Sequence, residues 1–421
     1  MSYRDLFRGN MRILIISRLL WSLTGSIVWP YLSLFILALG GNPALIGLVN
    51  AVGSLGGLVL FPVGGYIADK RGRARFVSLG TIGLAASYAV LASAQNWWMV
   101  ALGMFLQQSS LFYTPALSAI TADSMPKGMR GLGYALTTSV PAAVGILSPY
   151  IGGYLINVYT VVPANRIGYI FSFILGLIVA AVRLKFLKET LENTDEQVSL
   201  RNMKLLFKSA FQELLRSFRW LFNELRAYSI VAALISFAST IAGPFWVVYA
   251  TKIIGLTEYE WGILLLIGGA ASTVMSLPIG GFIDRHGCRK AMLISNVINF
   301  ASNIAFIYCK DFIQTTIVYT VLVIGNSFSF ISSSALLANT VPRIMRGRIS
   351  AILGQGIMTV TLRGGFSSGF LLFIFGAAGS LVGGLIYSMN PAYPWIIFPI
   401  VSAISAILCL KQIHDPGKIE E

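Results

Sequence analysis

Long apolar segments separated by short polar ones dominate this chain, and most of the apolar segments are long enough to cross a bilayer. About 20 apolar residues, rising 1.5 Å each along a helix, span the hydrocarbon core. The pattern predicts twelve membrane-spanning helices, here numbered spans 1 to 12, near residues 12–38, 44–68, 76–94, 98–122, 131–158, 166–187, 228–251, 259–283, 291–309, 313–338, 347–387 and 391–411. The eleventh predicted segment is nearly twice as long as one crossing needs.

A short, highly charged segment between two apolar runs occurs twice. Residues 64–75 read GGYIADKRGRAR and residues 280–290 read GGFIDRHGCRK, so that Asp69 and Asp284 are 215 positions apart. Other landmarks recur in the same order: Pro30 and Pro244, Gly47 and Gly262, Gly72 and Gly287, Pro126 and Pro342, and, at a spacing of 231, Gly153 and Gly384. A repeat of this length predicts two six-helix halves, at 1–187 and 228–421.

The segment 188–227 connects the two predicted halves. Residues 189–197 are acidic and polar, whereas from Met203 to Leu225 apolar residues recur every three or four positions, with bases among them. This spacing predicts an amphipathic helix lying on the cytoplasmic membrane surface. Contact with lipid or with the underside of the bundles is favoured over docking of a partner protein.

Composition supports a membrane protein and also fixes its predicted orientation. Apolar residues make up 56% of the chain, charged residues 11%, and the mean hydropathy is +0.76, which excludes a soluble globular protein. A net charge of +15 is typical of proteins that bind nucleic acid. However, when successive loops are assigned alternately to the two sides of the membrane, 27 of the 31 Lys and Arg residues fall on one side. This positive-inside bias predicts a multi-pass protein of the plasma (inner) membrane with both termini in the cytoplasm, and no nucleic-acid partner.

Several classes of chemistry have no counterpart in the sequence. No nucleophile–base pair, metal-ligand cluster or phosphate-cradling Gly-rich loop is present, so neither an enzyme, nor a bound metal or cofactor, nor ATP-driven transport is expected. The three cysteines fall in a predicted loop or in spans and suggest no disulfide framework.

At these residues the chain resembles the major facilitator superfamily. The resemblance rests on the charged segment at 64–75, its echo at 280–290 and the central linker, and it covers essentially the whole chain. It implies two pseudo-symmetric six-helix bundles that rock about one central cavity in a monomer. Residues 145–153, GILSPYIGG, are similar to the span-5 signature of the drug and metabolite antiporters, although the arginine that those antiporters carry in span 4 is absent.

The resemblance also implies a charge relay that latches the cytoplasmic ends of the bundles. In the first half its members are Asp69, Arg73 and Asp123. In the second half Cys288 and Asn339 stand at the positions of Arg73 and Asp123, so the first-half network is predicted to be the stronger latch. The remaining gating candidates are Arg130, Asp284, Arg289 and Arg346, of which Arg130 and Arg346 are expected to cap the starts of spans 5 and 11.

Spans 1, 4, 7 and 10 line the cavity in that family, and polar residues at helical spacing predict the substrate-binding surface there. The candidates are Arg18, Ser22, Ser26 and Trp29; Gln107, Ser110 and Thr114; Ser236, Thr240 and Trp246; Asn326 and Ser329; and Arg363 at the expected break of the eleventh segment. The alternatives are hydrogen bonds between helices for the Ser and Thr residues, core packing for the aromatic residues, and an interfacial position for Arg18 and Arg363. Three Asn residues of span 9 are interpreted as contacts between helices.

The charges of the predicted spans indicate the kind of cargo. No Asp, Glu or His falls near a predicted midplane, and the cavity candidates that carry charge are basic. The sequence therefore predicts a secondary transporter for neutral or anionic amphipathic compounds, and export is favoured over import. Coupling to protons or another ion would use acids at the rim of the cavity or the charge of the substrate itself. The alternatives are an importer or uniporter of sugars or organic anions and, from another class, a non-transporting sensor or lipid-handling protein.

Overall fold

A computed structural model describes residues 9–125, 133, 136–137, 140–190, 203–342, 345, 349, 352–353, 369–413 and 415. Ten helical segments in this part of the chain are long and apolar enough to cross a membrane. They are Pro43–Arg71, Arg73–Ala92, Val140–Tyr159, Val161–Phe186, Arg226–Ile254, Glu258–His286, Cys288–Ile307, Phe312–Thr340, Phe370–Met389 and Tyr393–Gln412. Two interrupted helical segments, 9–38 and 97–123, bring the spans to the predicted twelve and confirm the all-α membrane fold.

Prolines interrupt three of the four spans that were expected to line the cavity. A proline has no N–H to offer the carbonyl four residues earlier, so the α-helix gives way to a short 3₁₀ turn. Such turns occur at Trp29–Tyr31 around Pro30, at Leu111–Tyr113 just before Pro115, and at Gly243–Phe245 around Pro244. Span 10 contains no proline and is continuous over Phe312–Thr340, so the two halves are not equivalent here.

The interruptions divide their spans into shorter helices. Span 1 consists of Gly9–Ser22, Gly25–Val28 and Leu32–Ala38; span 4 of Trp97–Ser110 and Thr114–Asp123; and span 7 of Arg226–Ala242 and Trp246–Tyr249, followed by a π-helical turn at Ala250–Ile254. Span 5 has a helix at Val140–Gly145 and another at Ser148–Tyr159. The eleventh span is helical over Phe370–Met389, and the predicted break at Arg363 lies outside the described residues.

A single glycine makes the turn at each copy of the charged segment. Gly72 has φ +95° and Gly287 has φ +87°, a backbone conformation that glycine adopts without the strain imposed by a Cβ. Each glycine ends one helix and caps the next, so spans 2 and 3, and spans 8 and 9, reverse direction within one residue. We call the end of the bundles with these two turns the basic face, and the other end, which carries the loops at 39–42 and 308–311, the opposite face.

The helix Met203–Glu224, here called the linker helix, lies against the second half at the basic face. Leu214, Leu221 and Leu225 are buried in the same apolar cluster as Ile283 and Leu336 of spans 8 and 10. The linker helix also contacts span 2 of the first half. It therefore touches both bundles at one end of the molecule.

Candidate functional site

Spans 2 and 11, which belong to different halves, touch through glycines near the opposite face. A Cβ added to Gly47 would lie 2.3 Å from the carbonyl oxygen of Ser380 and 2.9 Å from the Cα of Gly384. A Cβ added to Gly384 would lie 2.9 Å from the carbonyl oxygen of Pro43. Because no side chain fits there, the two backbones come together only where both residues are glycine.

Spans 5 and 8 make the equivalent contact. A Cβ on Gly153 would lie 2.6 Å from the carbonyl oxygen of Glu258, and one on Gly262 would lie 3.0 Å from the carbonyl oxygen of Pro149. Gly262 is the repeat partner of Gly47, and Gly153 is that of Gly384. The repeat thus places a glycine on each side of both contacts between the halves. We call these two contacts together the opposite-face seam.

Polar side chains add to the opposite-face seam. The buried hydroxyl of Tyr31 donates to the carbonyl oxygen of Pro149 at 2.7 Å and lies 3.4 Å from that of Glu258 in the second half. Ser33 Oγ donates to the carbonyl oxygen of Pro244 at 2.5 Å, again across the halves. The hydroxyl oxygens of Tyr150 and Tyr259 are 3.1 Å apart. The structure therefore shows the two halves joined at the opposite face.

At the basic face the structure brings together two of the predicted latch residues. Arg73, the first residue of the span-3 helix, forms an ion pair with Asp123, the last residue of the span-4 helix. Thr190 Oγ1 also donates to Asp123 Oδ2 at 3.3 Å. The side chains of the pair are 14% and 45% exposed, so solvent screens the attraction and its contribution is modest.

Two acids that the sequence reasoning missed cap the helices that follow the glycine turns. Glu189 Oε2 accepts a hydrogen bond from the backbone N–H of Ala74 at 3.0 Å, and Asp415 Oδ1 accepts one from that of Arg289 at 2.9 Å. A carboxylate at a helix N-terminus satisfies a free N–H and is attracted by the helix dipole. The sequence did carry a signal, because each acid is the first to follow the last span of its half.

In the second half the predicted basic-face residues make different contacts. The guanidinium of Arg289 donates to the backbone carbonyl of Leu410 in span 12, and Asp284 is exposed. A Cβ on Gly287 would lie 2.2 Å from a carboxylate oxygen of Asp415, so the glycine also makes room for that cap. The side chain of Asp69, and the residues Arg130 and Arg346, lie outside the part of the chain that the structure describes.

Span 1 places its predicted cavity residues beside span 5. Arg18 is partly buried, and its Nη1 donates to the backbone carbonyl of Thr137 at 3.2 Å. Ser22 Oγ donates to the carbonyl of Leu19 in its own helix at 2.8 Å, and Trp29 is partly buried at the 3₁₀ turn. The side chain of Ser26 is not among those described.

Gln107 and Ser110 of span 4 face span 3 within the first half. Gln107 is buried next to the Tyr88 hydroxyl, and a Cβ on Gly83 of span 3 would lie 3.0 Å from Ser110 Oγ. Ser110 and Thr114 donate to carbonyls of their own span at 2.7 Å each. In this conformation the three side chains therefore make contacts within one bundle.

The second-half candidates are also enclosed. Ser236 and Thr240 lie against span 11, where Ser236 Oγ donates to the carbonyl of Leu372 at 3.4 Å and Thr240 is next to Gly379. Trp246 is 4% exposed, and its ring centroid is 4.4 Å from that of Phe306, which corresponds to the core-packing alternative. Asn326 and Ser329 are buried in span 10, and Arg363 lies outside the described residues.

A buried arginine was not expected. Arg183, which the sequence analysis counted with the cytoplasmic bases, is 3% exposed and donates to Thr81 Oγ1 of span 3 at 2.8 Å. Its guanidinium carbon lies 6.0 Å from the ring centroid of Tyr113, at the 3₁₀ turn of span 4. The ion pair between Arg73 and Asp123 does not include it. A cation buried in this way is costly, which makes Arg183 a functional candidate.

Comparison with known proteins agrees with this architecture. The sequence profile described as the Major Facilitator Superfamily matches residues 14–353 and, in a second alignment, 228–420. The chain is 25% identical over 364 residues to the "Multi-drug resistance efflux pump PmrA homolog" of Lactococcus lactis, covering 83% of this chain and 85% of that protein. It is 24% identical to "Multidrug resistance protein MdtG" of Escherichia coli, covering 90% and 94%. The MdtG of Dickeya zeae is 27% identical, with 65% of this chain and 66% of that protein aligned.

Solved structures share the fold at low identity. A mutant of the nucleoside transporter NupG superposes with a TM-score of 0.69 at 18% identity, covering 96% of this chain and all of that one. The human organic anion transporter MFSD10 superposes with a TM-score of 0.66 at 16% identity, covering 96% and 99%.

Proposed function

This chain belongs to the Major Facilitator Superfamily, and from that membership we propose that it is a secondary active exporter of neutral or anionic amphipathic small molecules. The relatives named above are described as multidrug resistance or efflux proteins, which supports export of varied organic compounds. We infer further that the basic face is cytoplasmic, because membrane proteins retain Lys and Arg on that side. A monomer is sufficient, since the opposite-face seam and the basic-face contacts all form within one chain.

The position of Arg18 is the observation that supports an anionic or neutral cargo. Of the two arginines in the span-1 helix, Arg18 is the one farther from its start, about two and a half turns after Gly9, and it is partly buried against the Thr137 carbonyl. No Asp, Glu or His of the sequence falls at a predicted midplane. A cationic cargo would therefore meet repulsion without compensation, whereas an anion gains a charge-assisted hydrogen bond.

Dye accumulation in inside-out membrane vesicles tests this proposal. We expect Arg18→Gln to lower accumulation of an anionic dye about tenfold, since a hydrogen bond to a charged group contributes about 1.5 kcal/mol or more, and to leave a neutral dye nearly unchanged. Arg18→Lys should retain part of the anionic transport. Arg12→Gln, an exposed residue on the same helix, is the matched control. Equal loss for both dyes, or none for either, would refute the electrostatic role.

Import or uniport of sugars or organic anions is the second candidate, favoured by the missing midplane carboxylate. Direction and coupling separate it from export in the same vesicles. Exporter activity predicts concentrative uptake into inside-out vesicles that a protonophore or another ionophore abolishes. Equilibration that never exceeds the external concentration would instead identify a uniporter.

A further inference from the structure

The linker helix carries an apolar stripe that the bundles cover only in part. Phe211, Leu215, Phe218 and Phe222 follow one another at steps of four, three and four residues, and so lie along one side of the helix. Leu215 is 61% exposed and Phe222 is 40% exposed. We call these four residues the apolar flank; it adjoins the side of the helix that Leu214 and Leu221 bury against the second half, and its Phe211 and Phe218 pack against the same apolar cluster.

Contacts with span 11 fix the depth of the apolar flank. The ring centroids of Phe211 and Phe218 lie 6.0 and 6.4 Å from that of Phe370, both edge to face. Phe222 stacks on Phe218 with centroids 5.6 Å apart. Phe370 is the first residue of the helix of span 11, and the end of a membrane-spanning helix lies near the boundary between hydrocarbon and headgroups. The apolar flank therefore lies at the level of that boundary.

Bases border the apolar flank on its solvent side. On a helical wheel Lys208 and Arg219, both exposed, lie within about 40° of Leu215. Arg216 is also exposed but lies about 100° away, and the exposed acid Glu224 is on the reverse side, about 180° away. Apolar side chains at the acyl boundary with bases level with the phosphates are the arrangement by which interfacial helices bind anionic lipid.

We propose that the apolar flank inserts into the headgroup region beside span 11, with Lys208 and Arg219 binding the headgroups of anionic phospholipids. Neutral lipid can cover the apolar side chains, but the two bases next to Leu215 favour an anionic headgroup. Because the linker helix also contacts span 2, this anchor would connect the lipid surface to both halves. The inference depends on the position of the helix and is independent of the direction of transport.

Spin-label accessibility in nanodiscs tests the insertion. Labels are placed at Leu215→Cys, Phe222→Cys and, as the matched control, Arg216→Cys, in full-length protein whose three native cysteines are replaced by alanine. We expect the first two labels to be reached by oxygen and shielded from a water-soluble nickel chelate, and the third to show the reverse. If the chelate reaches the Leu215 and Phe222 labels as well as it reaches Arg216, the proposal is wrong. Shielding from both reagents would mean that protein covers the flank, and would also overturn it.

The choice of lipid is tested separately, with the apolar flank left intact. Nanodiscs contain phosphatidylcholine alone or mixed with phosphatidylglycerol. The Leu215 label should lie deeper in the mixed discs, and the double substitution Lys208→Gln and Arg219→Gln should abolish that difference. Arg216→Gln, an exposed base away from the flank, should preserve it. Equal depth in both kinds of disc, or an equal effect of Arg216→Gln, would refute anionic recognition.

Discussion

Substituting Gly47 by alanine tests whether the opposite-face seam holds one conformation of the transporter. The added Cβ would lie 2.3 Å from the Ser380 carbonyl oxygen, whereas ordinary contacts begin near 3.4 Å. The obstructing atoms are backbone, so no side chain can rotate away. Spans 2 and 11 must separate by about 1 Å, in an interior packed as densely as a crystal.

The expected magnitude follows from that clash. Overpacking a tight contact costs about 1–3 kcal/mol. This cost falls on the conformation in which the seam is closed. The higher helix propensity of alanine acts on both conformations and cancels. We therefore expect the equilibrium to shift toward the seam-open conformation by about 5- to 150-fold.

Distances between the halves report that shift. Spin labels at Ser93→Cys and Lys310→Cys occupy exposed opposite-face loops of the two halves, and pulsed dipolar spectroscopy resolves the separation of each conformation. Gly376→Ala is the matched control, because its Cβ would lie 3.6 Å from Thr240 Cγ2, an ordinary contact on the same span as Gly384. Gly47→Ala should increase the long-distance population, and Gly376→Ala should leave it unchanged.

Two results would refute this reasoning. One is an unchanged distance distribution in folded Gly47→Ala protein, which would show that the contact between spans 2 and 11 does not resist opening. The other is the same shift in Gly376→Ala, which would show that any added methyl on these spans disturbs the equilibrium.

Four further predictions follow from individual side chains. Tyr31→Phe should shift the Ser93–Lys310 distances in the same direction but less than Gly47→Ala does, by about 0.5 kcal/mol, since it removes the 3.4 Å contact of the hydroxyl with the Glu258 carbonyl of the second half; unchanged distances would contradict this. Asp123→Asn should lower the melting temperature by only about 2 °C, because the pair with Arg73 is partly exposed, and the difference should shrink in concentrated salt. Arg183→Met should match or exceed the wild type in thermal stability while losing transport, because burying a cation lowers the stability of the fold. Lower stability with full transport would show that Arg183 has a structural role and not a functional one. Burial raises the pKa of the Cys309 thiol, so less thiolate forms near neutral pH and maleimide should label it more slowly than an exposed cysteine introduced at Ser93, in a loop at the same face.

Local patterns were sufficient for much of the fold. Hydrophobic length predicted twelve spans, and the repeat predicted that Gly72 and Gly287 would make equivalent tight turns. Apolar segments must be helical in lipid to satisfy their backbone groups, so a segment of the right length has few alternatives. The pairing of Arg73 with Asp123 followed from family resemblance, which supplied a spatial neighbour that spacing alone does not.

The rotation of each span about its axis could not be predicted in the same way. A helical wheel gives the angles between residues of one helix but not which neighbour each side of the helix meets. For that reason the sequence could group Gln107, Ser110 and Thr114 on one side of span 4 but not name the neighbour of that side, and the structure shows Gln107 and Ser110 next to span 3. Trp246 likewise lies among aromatic side chains of its own half. Whether such a residue lines the cavity or packs in the core depends on how several helices pack together.

Charges near the ends of helices depended even more on tertiary structure. Arg183 stands one turn before the end of span 6, where the side chain of an arginine can either reach water or turn inward. It turns inward because Thr81 and Tyr113, on two other spans, contact its guanidinium there. Glu189 and Asp415 were visible as the first acids after each half, but their N–H partners, on Ala74 and Arg289, are more than a hundred residues away along the chain. Sequence alone determined which segments cross the membrane and that they do so in two related sets, because those properties depend on hydrophobic length and repetition. Only the folded bundles decided which polar groups meet, because hydrogen bonds and ion pairs depend on distances that the sequence does not specify.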